Sequence, residues 1–302
     1  MDNLFLGIDG GGTKTLGVLA DCDGKEHARC TAGASNPNVV GLETSAGRLI
    51  EVIDACCSNA RVAPENIAAT VVGLAGAGNE EQKERLTRLL CERYGPVFRF
   101  AIETDARIAL EGALCGKPGL VVIAGTGSVV IVKSIDERIR LIGGWGRLLG
   151  DDGSGHFIGV EAAKAFVKDL ETVAPAPAIK EVVAKATGWQ SRDRVISSLY
   201  REQFEPSTLA PLVLDLATKG DEPSRAILRR GAMEIASQVA VGVRMFPDHA
   251  VNVATCGGLI DHPTSYRSIL SEEILKAEKN ATVVYPERSA IDGALLMAVG
   301  MR

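Results

Sequence analysis

Short apolar runs on either side of glycine-rich turns predict strands at the start and in the middle of this chain. Residues 4–8 are mostly apolar, residues 9–14 are polar or glycine, and residues 16–20 are mostly apolar again. Residues 120–133 repeat this order around a turn of glycine and hydroxyl residues. Apolar runs of this length beside turn residues are typical of buried strands. The chain therefore predicts two similar strand-turn-strand units, and such a repeat indicates duplicated halves.

Helical spacing of apolar residues follows each of these units. Residues 43–58 carry such a pattern, and Asn79 with Gln82 resembles a capping box for a helix that Gly95 ends. Further strands are predicted at 67–74, 97–103, 139–142, 251–256 and 282–285. Further helices are predicted at 106–114, 157–171, most of 178–218, 223–246, 264–279 and 288–301. Strands that alternate with helices predict an α/β fold.

The length and composition of the chain suit a soluble protein of two domains. It has 302 residues, of which 46% are hydrophobic and 24% are charged. A chain of this length is long for one core, and this composition is sufficient to fill two. Glycine, lysine and proline at 116–119 predict the boundary, which places the first domain at 1–115 and the second at 116–287.

Charge and cysteine content exclude several classes of protein. The net charge of −5 argues against nucleic acid and against an anionic membrane surface, because both favour a basic protein face. The seven cysteines include no CxxC pair, which indicates reduced thiols and a cytoplasmic location. We expect neither a signal peptide nor a transmembrane span, because the first apolar run is short and breaks at Asp9.

The turn after the first strand has the composition of a phosphate site. Gly11 and Gly12 allow a ligand close to the backbone, Thr13 can donate to phosphate, Lys14 can neutralise its charge, and Asp9 could hold hydrated Mg²⁺. The lysine does not directly follow the last glycine, so this is not a P-loop, and no third glycine completes a dinucleotide fingerprint. An ordinary glycine hairpin, with Asp9 as a turn residue and Lys14 as a solvated lysine, is the alternative.

Seven short motifs, in order along nearly the whole chain, resemble one superfamily. They are DGGGTK at 9–14, SN at 35–36, TDA at 104–106, GTGS at 125–128, GGWG at 143–146, GDDGS at 150–154 and CGG at 256–258. Together they resemble the actin, Hsp70 and hexokinase superfamily and, within it, the N-acetylglucosamine kinases and BadF/BadG/BcrA/BcrD ATPases. The resemblance implies two related ribonuclease H-like (actin-like ATPase) domains with a nucleotide and sugar cleft between them. It also implies that the C-terminal helix, 288–302, completes the first domain.

The resemblance assigns a catalytic base and a sugar site. Asp105 corresponds to the base of these kinases, although it also stands where an N-cap would begin a helix. Asn36 would bind sugar hydroxyls, with a turn-forming role as the alternative. Asn38 departs from relatives that carry an aromatic residue there, which leaves the exact sugar open. The other implied sugar contacts are Gly127, Ser128, Gly144, Trp145, Gly146 and Asp151, and a core position is the alternative for Trp145.

Nucleotide contacts follow from the two hairpins and one later turn. Thr13 and Thr126 stand at similar points of the hairpins, where they could meet phosphates. Gly257 and Gly258 resemble the adenosine turn of the family, where a side chain would block the base. Ala217 aligns with another adenine contact of the family, near Lys219 and Gly220.

The resulting expectation is an ATP-dependent kinase that phosphorylates an amino sugar, N-acetylglucosamine first, at its C6 hydroxyl, with Mg²⁺ held by Asp9. Glucosamine, N-acetylmuramic acid and N-acetylmannosamine are alternative substrates. An ATPase activator of a radical dehydratase is an alternative of another class, but the 125–127 loop lacks a preceding cysteine. A sugar-sensing regulator is a third, and we expect no N-terminal DNA-binding module before the first strand. Relatives suggest a homodimer.

Overall fold

The protein is described by a computed structural model that covers residues 3–247, 249–261 and 265–301. The chain divides into two compact units. Unit 1 contains the residues up to Lys117 and those from Pro286 onward, and unit 2 is Pro118–Tyr285. Each unit contains one five-stranded sheet.

Unit 1 is built on a mixed sheet. Its strands are β1 (Leu4–Gly10), β2 (Lys14–Asp21), β3 (Glu26–Gly33), β4 (Ile67–Leu74) and β5 (Phe100–Thr104). They lie in the order β3-β2-β1-β4-β5, in which β1, β2 and β3 pair antiparallel and β1, β4 and β5 pair parallel. The carboxyl ends of the three parallel strands therefore meet at one edge, which is where open α/β sheets place ligand groups.

Helices cover both faces of this sheet. They are α1 (Pro37–Val40), α2 (Leu42–Ala60), α3 (Glu80–Tyr94), α4 (Asp105–Ala113) and the final helix, α11 (Ala290–Gly300), with a 3-10 turn at Pro64–Asn66. On one face α2 buries Leu49 and Ile53. On the other face α11 packs against α4, and a Cβ on Gly293 would lie 2.0 Å from the Ile108 carbonyl oxygen, so only glycine permits this approach.

Unit 2 repeats the same topology. Its strands are β6 (Gly119–Ala124), β7 (Ser128–Lys133), β8 (Ile139–Gly143), β9 (Val251–Cys256) and β10 (Ala281–Val284). Its helices are α5 (Gly155–Leu170), α6 (Pro177–Thr187), α7 (Arg192–Tyr200), α8 (Ala210–Thr218), α9 (Glu222–Val243) and α10 (Ser265–Ala277), with a 3-10 turn at Pro206–Leu209. The order β10-β9-β6-β7-β8 again joins antiparallel and parallel halves. The α/β prediction with duplicated halves is confirmed.

Three local predictions differ from the structure. The sequence pattern did not indicate β3, because this edge strand buries only Ala28 and Cys30 and its other positions are exposed or half-buried. The strand predicted from residue 97 begins at Phe100, since Phe98 turns into the core beside Tyr94. Gln82 does not complete a capping box: its amide donates to Asn38 Oδ1 at 3.3 Å. The predicted helix start at residue 264 lies outside the described residues.

Within residues 3–247, 249–261 and 265–301, no helix combines the length and the apolar composition needed to cross a bilayer.

Candidate active site

The first glycine turn joins β1 to β2 and anchors the segment that follows β3. Gly10 pairs with Thr15, and the Gly11 N–H donates to the Lys14 carbonyl at 3.0 Å. The Gly11 carbonyl accepts the N–H groups of both Ser35 (3.0 Å) and Asn36 (3.1 Å). Thr13 and Lys14 are exposed at the tip. The turn thus brings Asn36 beside a surface that offers a hydroxyl and an ammonium group.

Asn36 is held in one orientation by two neighbours. Its Oδ1 caps α1 by accepting the Asn38 N–H at 2.9 Å, so the turn-forming role and a role in binding are compatible. A Cβ built on Gly76 would lie 2.6 Å from Asn36 Oδ1 and 2.8 Å from Asn38 Nδ2. Glycine is therefore required at 76, where φ is +85°. Sequence reasoning missed this packing, although the glycine and alanine run at 75–78 was a signal for close approach.

Asp105 follows β5 and opens α4. The N-cap of α4 is Thr104, whose hydroxyl accepts the Arg107 N–H at 3.1 Å. The alternative of Asp105 as N-cap is therefore wrong, since the residue before it already fills that position. Asp105 Oδ1 accepts the Ala106 N–H at 2.9 Å. One carboxylate oxygen is thereby fixed, and the side chain still reaches solvent.

Asp9 and Asp105 lie close enough to interact electrostatically. Partial burial raises the pKa of Asp9, the negative charge of Asp105 raises it further, and Lys14 lowers it. Loss of surrounding water raises the pKa of Asp105, although the Ala106 N–H lowers it in part. Two adjacent carboxylates at a sheet edge attract cations.

The donor set fits Mg²⁺ in the form that accompanies a nucleotide. Among the described residues no cluster contains three or more Asp, Glu, His or Cys side chains able to hold a metal. Mg²⁺ keeps several waters and commonly takes one or two carboxylates together with substrate phosphates. Asp9 supplies a carboxylate of this kind, and the nearby hairpin supplies a place for phosphate.

The second glycine turn, in unit 2, is hydrogen-bonded to the start of α5. Ala124 pairs with Ser128, which leaves a three-residue loop closed by Gly125 N–H to the Gly127 carbonyl at 2.9 Å. The carbonyls of Gly125 and Thr126 accept the Gly155 (2.8 Å) and His156 (3.1 Å) N–H groups. Thr126 is exposed at the tip, as Thr13 is in unit 1.

Asp151 packs against this turn. Its Oδ1 accepts the Ser128 N–H at 3.3 Å, and a Cβ on Gly127 would lie 2.9 to 3.1 Å from the carboxylate group. The Ser128 hydroxyl donates to the Asp152 carbonyl at 2.7 Å. Ser154 caps α5 by accepting the Phe157 N–H at 3.2 Å. Gly127, Ser128 and Asp151 therefore form one group.

Trp145 is in an exposed loop of unit 2. Its exposed fraction is 76%, so the alternative of a core tryptophan is wrong. The loop after β8 turns through Gly143, Gly144 and Gly146, which all have positive φ. Trp189 instead fills the core, in edge contact with aromatic neighbours. The Trp145 indole is free to meet a ligand.

Gly257 and Gly258 follow β9 and have different constraints. Gly257 has φ of +109°, and a Cβ there would lie 2.4 Å from the Ala124 carbonyl oxygen. A Cβ on Gly258 would meet nothing within 4 Å. Gly257 is thus required by the fold, whereas Gly258 leaves open space. Ala217 is fully buried, and the three residues after it, Thr218, Lys219 and Gly220, are exposed.

Comparison with known proteins gives a consistent result. The chain is 28% identical to the N-acetyl-D-glucosamine kinase of Dictyostelium discoideum, over 99% of this chain and 98% of that protein. It is 30% identical to the N-acetylmuramic acid/N-acetylglucosamine kinase of Clostridium acetobutylicum, over 85% of each. A crystal structure of a candidate N-acetylglucosamine kinase from Chromobacterium violaceum is 28% identical and superimposes with a TM-score of 0.78, over 98% of this chain and 99% of that one.

The sequence matches the family pattern from residue 6 to residue 298, which covers both units. The relatives are named sugar kinases, so an ATP-dependent sugar kinase is the activity that the comparisons support. This protein belongs to the BadF/BadG/BcrA/BcrD ATPase family.

Proposed function

We propose that the protein transfers the γ-phosphoryl group of ATP to the C6 hydroxyl of N-acetylglucosamine. The observation that carries the proposal is the pair of carboxylates, Asp9 and Asp105, at the carboxyl edge of the unit 1 sheet beside a glycine turn. The relatives named N-acetylglucosamine kinases support the choice of sugar.

In the proposed reaction Asp105 accepts the proton of the C6 hydroxyl. The sugar oxygen forms a bond to the γ-phosphorus, the bond from that phosphorus to the bridging oxygen breaks, and ADP leaves. A carboxylate whose pKa is raised is a better proton acceptor, provided that it stays ionised at neutral pH. The Ala106 N–H bond leaves the other oxygen of Asp105 available for this step.

The remaining roles are distributed over both units. When bound, Mg²⁺ would neutralise charge on the phosphates, and Asp9 would hold it through water. The turns that carry Gly11, Gly12 and Thr13 in unit 1 and Thr126 in unit 2 would bind phosphate. The proposed sugar contacts are Asn36, Gly127, Ser128, Gly144, Trp145, Gly146 and Asp151, and the remaining nucleotide contacts are Lys14, Ala217, Gly257 and Gly258.

The domain bounds, the oligomeric state and the cellular location of the protein are also proposals. We propose a first domain of residues 1–115 and 288–302, a second of 116–287, and a homodimer, the last on the family resemblance. A cytoplasmic location is supported by seven cysteines that are all free. Light scattering on the purified protein measures the dimer directly, and a monomeric mass at micromolar concentration would contradict it.

N-acetylmuramic acid is the second candidate substrate. The Clostridium relative named for both sugars favours it. The decisive experiment measures ADP release from Mg-ATP with glucose, glucosamine, N-acetylglucosamine, N-acetylmannosamine and N-acetylmuramic acid. The highest kcat/KM for N-acetylglucosamine supports the proposal. Sugar-independent ADP release, equal with every sugar, would contradict it.

The adenosine turn gives a prediction with an internal control. Gly258→Val adds a side chain in open space, so the fold should persist while ATP meets the new methyl groups. We expect the KM for ATP to rise about 10- to 100-fold, because overpacking of a filled site costs roughly 1 to 3 kcal/mol. Gly257→Ala should instead reduce thermal stability, since its Cβ collides with the Ala124 carbonyl. Unchanged ATP affinity in Gly258→Val would remove this turn from the nucleotide site.

Asn36 allows its capping role to be separated from sugar binding. Asn36→Asp keeps an oxygen that accepts the Asn38 N–H and removes the NH₂ donor, whereas Asn36→Ala removes both. We expect both variants to raise the KM for sugar about tenfold, from the loss of a polar contact. Only the alanine variant should also lose about 0.5 to 2 kcal/mol of stability through the cap. Normal sugar KM values in both variants would exclude Asn36 from the pocket.

A further inference from the structure

Tyr266 makes a contact that neither the sequence motifs nor the proposed function explains. It lies in the first turn of α10 and is completely buried. Its hydroxyl donates a hydrogen bond of 2.6 Å to the carbonyl oxygen of Gly153. These two residues are 113 positions apart in the chain. The bond therefore joins α10 to the turn that carries Asp151.

The junction is built to admit this hydroxyl. Gly153 has φ of +73°, and a Cβ there would lie 2.4 Å from the carbonyl oxygen of Gly231 in α9. A Cβ on Gly231 would lie 2.9 Å from Gly153 Cα and 3.2 Å from the Tyr266 hydroxyl oxygen. Glycine at both positions lets α9, α10 and the turn meet at one point. The close packing leaves little freedom for the Gly153 carbonyl.

A short path of bonds connects Gly153 to the Asp151 carboxylate. Asp151 is two residues away, and its backbone carbonyl accepts the Ser154 N–H at 3.1 Å. Its Oδ1 accepts the Ser128 N–H, and the Asp152 carbonyl accepts the Ser128 hydroxyl. A displacement at Gly153 must therefore move Asp151 relative to Ser128, because the turn between them is tight.

The hydroxyl is suited to a permanent donor role. Burial raises the pKa of the Tyr266 phenol well above its ordinary value, so it keeps its proton at neutral and mildly alkaline pH. If the hydroxyl were removed, the Gly153 carbonyl would lose this donor within a packed interior, and the turn would have to shift to regain one.

We propose that Tyr266 is a positioning residue, which orients the Asp151 carboxylate for the sugar by fixing the Gly153 carbonyl. The assignment rests on the proposed function, since it takes Asp151 as a sugar contact. The nucleotide turn has its own anchors, namely the bonds from Leu259 N–H to the Ala124 carbonyl and from Gly257 N–H to Asp261. Loss of the Tyr266 hydroxyl should therefore affect the sugar and spare ATP.

Tyr266→Phe tests this directly, because it removes one oxygen and keeps the ring in the core. We expect the KM for sugar to rise about 3- to 30-fold, with the KM for ATP unchanged within twofold. Tyr94→Phe is the matched control: its hydroxyl donates to Asp54 at 2.8 Å in unit 1, and neither Tyr94 nor Asp54 is a proposed contact of sugar or ATP. It should reduce stability while leaving both KM values unchanged.

A double variant decides whether Tyr266 acts through Asp151. In Asp151→Asn the carboxylate charge is already lost, so adding Tyr266→Phe should change the sugar KM by less than twofold further. Full additivity of the two effects would overturn the proposal. So would a fall in kcat with an unchanged sugar KM, which indicates a purely structural role, or an equal rise in the KM for ATP.

Hydrogen exchange tests the anchoring without any activity. In Tyr266→Phe the amides of Ser128 and Ser154 should exchange at least tenfold faster than in the wild type, and those in β1 should not change. Unchanged exchange at both amides would overturn the proposal even if no sugar were phosphorylated. Failure of the wild type with every sugar, together with faster exchange in the variant, would count against the proposed function alone.

Discussion

Asp105→Asn is expected to lower kcat by about 10² to 10⁴, the range associated with loss of a general base. Asparagine keeps an oxygen that can accept the Ala106 N–H, so the start of α4 should remain intact. It does not accept a proton at neutral pH. The KM for ATP should change little, because the proposed nucleotide contacts lie elsewhere. Steady-state ADP release, with ATP binding followed by calorimetry, measures both quantities.

Thr104→Ala is the matched control for that variant. It removes the hydroxyl that caps α4 by accepting the Arg107 N–H. We expect a loss of about 0.5 to 2 kcal/mol in the free energy of unfolding, with kcat nearly unchanged. The two neighbouring residues should thus give opposite results: one affects turnover and the other stability. Near-normal turnover in a folded Asp105→Asn protein would refute the base assignment.

Much of the fold could be predicted because it depends on local patterns. The strand at residues 67–74 is apolar at every position except Thr70, as expected for a parallel strand covered on both faces, and the structure gives β4 the same bounds. The edge strand β3 lacked this signal. Its place is set by pairing with β2, so the information lies in the partner rather than in its own sequence.

The candidate site, like the fold, could be predicted from the sequence only in part. That Asp9 and Asp105 share an edge follows from β1, β4 and β5 running parallel, which a strand and helix alternation already favours. The contacts of Gly76 with Asn36 and of Tyr266 with Gly153 were not predictable. Each depends on how segments distant in sequence pack, and a glycine or a tyrosine alone does not indicate its partner.

Duplication has given the two units one topology and different chemistry. In unit 1 the strand before the glycine turn carries Asp9, a charged residue that can attract a cation. The corresponding strand of unit 2 ends in the apolar residues Ile123 and Ala124. The unit 2 turn offers backbone groups and Thr126 instead.

Asp9→Asn is the second variant with a large expected effect, and its influence on activity and on stability should have opposite signs. Loss of a charge that holds Mg²⁺ should lower kcat by about 10² to 10³, as for other positioned electrostatic groups. The Mg²⁺ concentration needed for half-maximal rate should also rise. The variant removes a carboxylate whose pKa is raised in the folded protein by burial and by Asp105.

A raised pKa means that the folded state binds the proton more tightly than the unfolded chain does. The free energy of unfolding therefore decreases as pH rises from the ordinary aspartate pKa through the raised one. At neutral pH the ionised Asp9 thus lowers the stability of the wild type. In metal-free buffer we expect Asp9→Asn to melt at a higher temperature than the wild type at pH 7. The difference should shrink as the pH falls through the ordinary aspartate pKa, below which Asp9 is protonated in both the folded and the unfolded state.

Asp21→Asn supplies a control with the opposite sign, on the strand that pairs with β1. Hydrogen bonds from His27 and from the Lys25 backbone lower the pKa of Asp21, so its charge favours the folded state at neutral pH. This variant should melt at a lower temperature than the wild type at pH 7 and keep normal kcat. Added Mg²⁺ and nucleotide should stabilise the wild type and Asp21→Asn more than Asp9→Asn, because ligand binding stabilises only a state that holds it. Normal turnover in Asp9→Asn would exclude Asp9 from the metal site. An Asp9→Asn protein that is less stable than the wild type at neutral pH would contradict the claim that the ionised Asp9 carboxylate lowers stability.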